Sequence, residues 1–260
     1  MYPVRRNVPA RRALAVLATL CAGTPLLTGC LGLGGGPDEG TNGVAKLPPA
    51  SIERQARTAA DAAPAVRLSG TVVSDGQTFR LDMRLRADGG VGEVTTRAGT
   101  FQLLRVNDDL YLKAGADFYG AGGDNKDSKA AAAKLNGKYV KVPPTDPAYR
   151  QFSGFTDKKT LLADLFVLDG TLQRGDHGKI ATTPTIALTG SRGGSLDISL
   201  NGKPYPLRYQ RAGNAGILTL TDWAQDFPLT APGKNAVVDY GKSVGVTASP
   251  SGPAPGAKKK

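Results

Sequence analysis

From Phe79 to Arg86 the chain alternates without a break: Phe79, Leu81, Met83 and Leu85 are apolar, and Arg80, Asp82, Arg84 and Arg86 are charged. Successive side chains of a strand point to opposite faces, so this run predicts a strand with one dry face and one wet face. A strand of that kind belongs to an antiparallel sheet that is covered on one side only.

Further strand signals surround it. Val66 to Ser74 precedes it across the hairpin dipeptide Asp75-Gly76, and Gly89-Gly90 leads into Val91 to Arg97. Ala98-Gly99 then leads into Thr100 to Val106, and Asn107-Asp108 into Asp109 to Lys113. The spacing predicts five antiparallel strands in succession. Ahead of them, residues 48–63 carry Ile52, Ala56, Ala59, Ala60 and Ala63 at helical spacing, with Ser51 as the expected cap and Pro64 as the stop.

A mainly helical insert is expected from Asp117 to Leu168. Its first helix is the Ala-rich Asp127 to Leu135, its short extended piece is Tyr139 to Val142, and Asp157 caps a second helix holding Leu161, Leu162, Leu165, Phe166 and Leu168. That apolar face is too wide for water and must be buried. Between the two helices, Pro143 to Gly154 reads as a turn-rich connection flanked by Tyr139, Tyr149, Phe152 and Phe155. A second set of strands follows at Thr185–Thr189, Ser195–Leu200, Tyr205–Arg211 and Gly216–Trp223, with Asn201-Gly202 the strongest hairpin signal and Val237–Tyr240 an edge strand.

The chain has 33 Lys+Arg against 22 Asp+Glu, a formal charge of +11. Position removes most of that excess. Arg5, Arg6, Arg11 and Arg12 precede an apolar run ending at Leu27, and Lys242 and Lys258 to Lys260 lie in a Ser/Gly/Pro/Ala-rich tail from residue 241 that is expected to be disordered. With those eight set aside, 25 basic residues face 22 acidic ones, which gives no support to a nucleic-acid partner.

The apolar run from Ala13 to Leu27 is shorter than the ~20 residues a membrane-spanning helix needs, and it follows a basic segment, so it reads as an export signal over residues 1–29. It ends in Leu27-Thr28-Gly29-Cys30, which resembles the lipobox of bacterial lipoproteins. That resemblance implies a diacylglyceryl thioether on Cys30, cleavage after Gly29, and a lipid-anchored protein on the extracytoplasmic face of the cell membrane. Arg11-Arg12 leaves the Sec and twin-arginine routes both open. Cys21 leaves with the signal, so the mature chain would hold no free thiol. Residues 30–48 read as a Gly-rich tether, 49–240 as one domain and 241–260 as the tail.

The order helix, strands, helical insert, strands, placed behind a lipobox, resembles the LppX/LprA/LprF/LprG lipoproteins of actinobacteria and the wider LolA/LolB-like fold. The residues that carry the resemblance are Leu68-Ser-Gly-Thr-Val72, Asn107-Asp-Asp-Leu-Tyr-Leu-Lys113, Gly202-Lys-Pro-Tyr-Pro-Leu-Arg208 and Leu218-Thr-Leu-Thr-Asp-Trp223. It implies an α+β fold: a strongly curved antiparallel β half-barrel with helices packed on its concave face. Between sheet and helices that family holds the acyl chains of a lipid or glycolipid. Here Phe79, Leu81, Met83, Leu85, Leu161, Leu162, Leu165 and Phe166 would line the space. The same residues can instead form a closed core, in which case the protein is an interaction or signalling scaffold for another envelope protein.

Signals for chemistry are sparse. There is no Gly-x-Ser-x-Gly elbow, phosphate-binding loop or His-Glu-x-x-His, so no catalytic residue, metal ligand or cofactor site is assigned. The single histidine, His177, sits in what reads as an exposed turn, and Asp108-Asp109 in a hairpin turn. Asp124, Asn125 and Asp127 lack calcium-loop spacing. Arg80, Arg84 and Arg86 share one face of a strand, either as a solvated surface or as a site for lipid phosphates.

Overall fold

The computed structural model describes residues 38–74, 76–120 and 126–239. Cys30, the leader, the tail, Asp124 and Asn125 lie outside them, and of Asp127 only the backbone is described.

A 3₁₀ turn at Val44–Lys46 leads into α1 (Pro49–Ala62). Pro48 rather than Ser51 takes the N-cap position and Pro49 opens the first turn, where a missing N–H costs nothing. The hydroxyl of Ser51 lies inside the helix and accepts from Arg54 Nη2 at 2.9 Å. Five strands follow: β1 (Ala65–Ser74), β2 (Gln77–Arg86), β3 (Gly89–Thr96), β4 (Gly99–Val106) and β5 (Asp109–Ala114). After α2 (Ala116–Gly120) and α3 (Lys126–Leu135) come β6 (Tyr139–Val142), α4 (Pro147–Thr156) and α5 (Lys158–Leu165). The rest is β7 (Leu172–Ile180), β8 (Thr183–Gly190), β9 (Ser195–Ser199), β10 (Pro206–Gln210), β11 (Gly216–Thr221) and β12 (Val237–Asp239).

All twelve strands form one sheet in the order β12-β6-β5-β4-β3-β2-β1-β11-β10-β9-β8-β7. The chain starts mid-sheet at β1 and meanders out to β6. After α4 and α5 it restarts at the opposite edge with β7 and meanders back until β11 pairs with β1. The sheet thus has two wings joined at β1–β11. Every pairing is antiparallel except that of β12, which lies parallel to β6. The result is the curved, open α+β half-barrel that the resemblance implies.

At the junction the backbones come very close. Gly70 has φ 140°, and a Cβ there would fall 2.1 Å from the Ile217 carbonyl oxygen, so only glycine fits.

Four expectations need correction. The stretch around His177 is no turn; it lies in β7, an edge strand with no buried residue, and so carries no alternation to read. Pro143 to Gly154 is not simply a loop, because residues 147–156 form α4. The second insert helix, α5, stops at Leu165 and does not reach Leu168. The Asn201-Gly202 signal marks a wider connection than a two-residue hairpin, since β9 ends at Ser199 and β10 begins at Pro206.

The folded body also begins earlier than composition suggests. Val44 and Ala45 are each 1% exposed, Asn42 N donates to Leu200 O at 2.8 Å, and Asn42 Nδ2 donates to Ser199 O and Gly202 O. His177 Nε2 meets Asp38 Oδ1 at 2.8 Å. Residues 38–47 are therefore fixed to the second wing.

Candidate functional site

The inner face of β2 forms the floor of the interior: Phe79, Leu81, Met83 and Leu85 are all buried, as their alternation requires. Their cross-strand neighbours extend it. Val72, Leu68 and Val66 on β1 face Phe79, Met83 and Leu85, while Val94 on β3 faces Leu81. Phe101 and Leu103 on β4, with Leu110 and Leu112 on β5, continue the same surface.

Two sets of helices cover it. On the first wing α4 places Phe152 against Phe101, with ring centroids 5.3 Å apart, and Phe155 against Phe79 at 6.2 Å. Phe118 of α2 approaches Phe101 from the other side at 5.0 Å. Glycine allows the close seat of α4, because a Cβ at Gly90 would lie 3.1 Å from the Thr156 carbonyl oxygen and 2.7 Å from Leu85 Cδ2. Leu162 of α5 is fully buried, Leu161 is half-buried, and Phe166 just beyond α5 is buried under the Arg57 guanidinium of α1, 4.6 Å from the ring centre. The side chain of Leu165 lies outside the described residues. All the described members of the set named from sequence thus share one hydrophobic cluster. The ring contacts put Phe79 under α4 and Phe166 beside α1.

The cover is held by polar contacts at its rim. Arg105, on β4, donates from Nη2 to Thr156 O at 3.0 Å and from Nε to Thr156 Oγ1 at 3.1 Å, and it reaches Asp157 Oδ2 at 3.3 Å. It therefore satisfies the carbonyl end of α4. Asp157 Oδ1 accepts from Thr160 N at 2.7 Å and so caps α5, as its position predicts. Lys158 is buried, and among the described residues no carboxylate forms an ion pair with its ammonium. Its Nζ donates to the carbonyl oxygens of Ala60, Asp61 and Ala63 at the end of α1, at 3.1, 3.1 and 2.5 Å. Burial pushes its pKa down, opposed by the nearby Asp61 charge. At the start of α4, Tyr149 Oη donates to Asp108 O at 2.8 Å, and burial raises the Tyr149 pKa.

Sequence reasoning missed α4, the helix that places two of the rings. A signal was present: Asp146-Pro147 is an N-cap followed by proline at the first helical position, and Asp146 Oδ1 accepts from Ala148 N at 2.8 Å.

The outer face of β2 is occupied from within the chain. Arg84 lies 3.8 Å from Asp222, and Arg86 bonds Asp88 at 3.0 Å and Asp226 at 3.1 Å. Both guanidiniums stand over the Phe227 ring. The hydrogen bond to Arg67 holds the Asp82 carboxyl below its ordinary range. These contacts engage Arg84 and Arg86 within the chain, while Arg80 of the same run is exposed. Asp109 is engaged by Lys141 at 2.8 Å. A shallow recess of about 220 Å³ opens beside Glu93, Gln102, Lys113 and Asn136, and among the described residues no cluster of three metal-ligating side chains occurs.

Among solved structures, the fold is similar to that of LprF from Mycobacterium bovis, with a TM-score of 0.50 and 15% identity over 71% of this chain and 96% of that one. Lipoprotein LppX from Mycobacterium tuberculosis aligns over 70% of this chain and 98% of that one at 15% identity, with a TM-score of 0.42. No protein-family model matches the chain, and no curated protein does. The likeness to LprF shows the half-barrel fold.

Proposed function

We propose that this protein is a lipid-anchored envelope lipoprotein that holds the acyl chains of a lipid or glycolipid between its sheet and its helices. The observation that carries the reading is the one-sided sheet. The inner rows of β1 to β5 present a continuous apolar surface, and helices cover it on the first wing through aromatic rings and two polar clamps. The half-barrel shared with LprF supports it, and so does the lipobox ending at Cys30.

The interior side chains are in mutual contact, so acyl chains enter by displacing the cover. Lifting α4 away from β2 to β4 separates Phe152 and Phe155 from Phe101 and Phe79 and exposes a surface that methylene groups can replace, at about 0.8 kcal/mol per buried CH₂. Arg105 and Lys158 set how easily this happens, because each bridges separate elements by donating to a helix's terminal carbonyls. Binding involves no bond making or breaking.

The test is native mass spectrometry of protein purified from bacterial membranes. A mass beyond that of the covalent anchor, identified as lipid after extraction, is expected. The same close ring contacts favour a second reading, a scaffold with a closed core. A spectrum with no such mass, together with cellular crosslinking that repeatedly returns one envelope protein, would establish it instead.

A further inference from the structure

We infer that the rim formed by Tyr205, Trp223 and the 200–205 connection is the surface that rests on the lipid bilayer. This rests on the lipid-anchor reading of Cys30 given above. It adds which part of the domain meets the membrane.

Chain length and attachment point fix the choice. The chain joins the domain at Asp38, and Asp38 to Asn42 are held on the second wing by His177, Ser199, Leu200 and Gly202. Eight residue steps separate Cys30 from Asp38, and a chain can span at most about 3.6 Å per residue, so Asp38 lies within about 29 Å of the anchor whatever path the intervening residues take. Strand registers place the end of β9, the start of β10 and the end of β11 on that same end of the sheet. The other end carries α2 and α3, a further strand length away, which for the ten residues of β2 is about 33 Å. The 200–205 rim is thus among the surfaces nearest the anchor.

Its chemistry suits an interface between water and hydrocarbon. Tyr205 and Trp223 stack face to face, with centroids 4.7 Å apart and planes 2° off parallel, and both are half-exposed. The pair is anchored from below, since Trp223 Nε1 donates to Pro206 O at 2.9 Å and Ser199 N donates to Tyr205 O at 2.8 Å. Ser199 O in turn accepts from Asn42 Nδ2, so the aromatic pair and the attachment point share one residue. Amphipathic rings of this kind settle at the headgroup level. Exposed Lys203 stands beside them with its long stem free to reach phosphates.

Trp223 is the single tryptophan, so its emission reports this rim and nothing else. Protein carrying its native anchor is reconstituted into vesicles of equimolar phosphatidylcholine and phosphatidylglycerol, with bromine placed on shallow or on deep acyl carbons. The expected result is a blue shift with loss of emission in the shallow-bromine vesicles and a smaller loss in the deep-bromine ones. A polarity-sensitive dye at Lys203→Cys should shift on vesicle binding, and the same dye at Lys134→Cys, on α3, should not. If the protein floats with the vesicles and carries acyl mass on Cys30 while Trp223 emission is unchanged, or if both dyes shift equally, the rim is wrong and the anchor stands. If Cys30 carries no acyl mass, both fall.

Discussion

The two wings of the half-barrel are covered in different ways. Over β1 to β6 the cover consists of rings: Phe152 and Phe155 of α4 and Phe118 of α2, seated on Phe79 and Phe101. Over β7 and β8 it is α1, whose buried face is Ile52, Ala56 and Ala60, in one cluster with Ile186 and Leu188 of β8 and with Val44 and Ala45 beside it. Small side chains let a helix sit close to a sheet and leave little to rearrange. Rings seat a helix through a few large contacts, so a few side chains decide its position. On the proposed reading, the second wing serves attachment and the first holds the ligand.

The largest test of this contrast is Phe152→Ala. The ring is 1% exposed and faces Phe101, so its loss should cost about 3–5 kcal/mol in urea unfolding. A cost near zero would show that the rings on the first wing do not hold α4. Next comes Arg105→Ala, which leaves the Thr156 carbonyl without its guanidinium and should cost about 1–3 kcal/mol. Hydrogen exchange in this variant should speed up in α4 and stay unchanged in α1. Equal acceleration in both helices would erase the distinction between the wings. From the other side, Ala56→Leu should cost about 1–3 kcal/mol, because α1 has no room for the extra methylenes. A neutral result would mean that the sheet gives way under α1 as readily as it would under a helix seated on rings.

The smallest effect is a slope with pH. The Lys158 pKa is lowered by burial, so the folded protein binds this proton more weakly than the unfolded chain does. With more protons bound in the unfolded state, this group makes stability rise with pH as pH approaches the ordinary lysine value of 10.5. The urea midpoint of wild type should therefore climb relative to Lys158→Met over that range. A parallel pair of curves would show that the amine is not desolvated where α1 meets α5.

How much of this was legible in the sequence follows the same division by burial. β2 could be read because one face is dry and the other wet, which writes a period of two into the residues. β7 could not: it is an edge strand with no buried residue, so Arg174, Asp176, His177 and Lys179 look like a turn. α4 was hidden by Pro143-Pro144 and Gly154, even though Asp146-Pro147 marks its start. The candidate lining on β2 and at Leu162 and Phe166 was visible as apolar pattern, and the structure places it in one cluster. What the pattern could not supply were the contacts between distant elements, such as Arg105 to Thr156 and Lys158 to Ala60, because neither partner signals the other along the chain.

The central claim is that acyl chains occupy the first wing, between β2 to β4 and α4. A phospholipid bearing a diazirine in its acyl chain, photolysed with the purified full-length protein and mapped by peptide mass spectrometry, tests it directly. Labels should fall on the inner residues of β2 and β4 and on α4, and Phe152→Ala should change their distribution. Labels confined to exposed positions such as Val167 and Ile217 would contradict it.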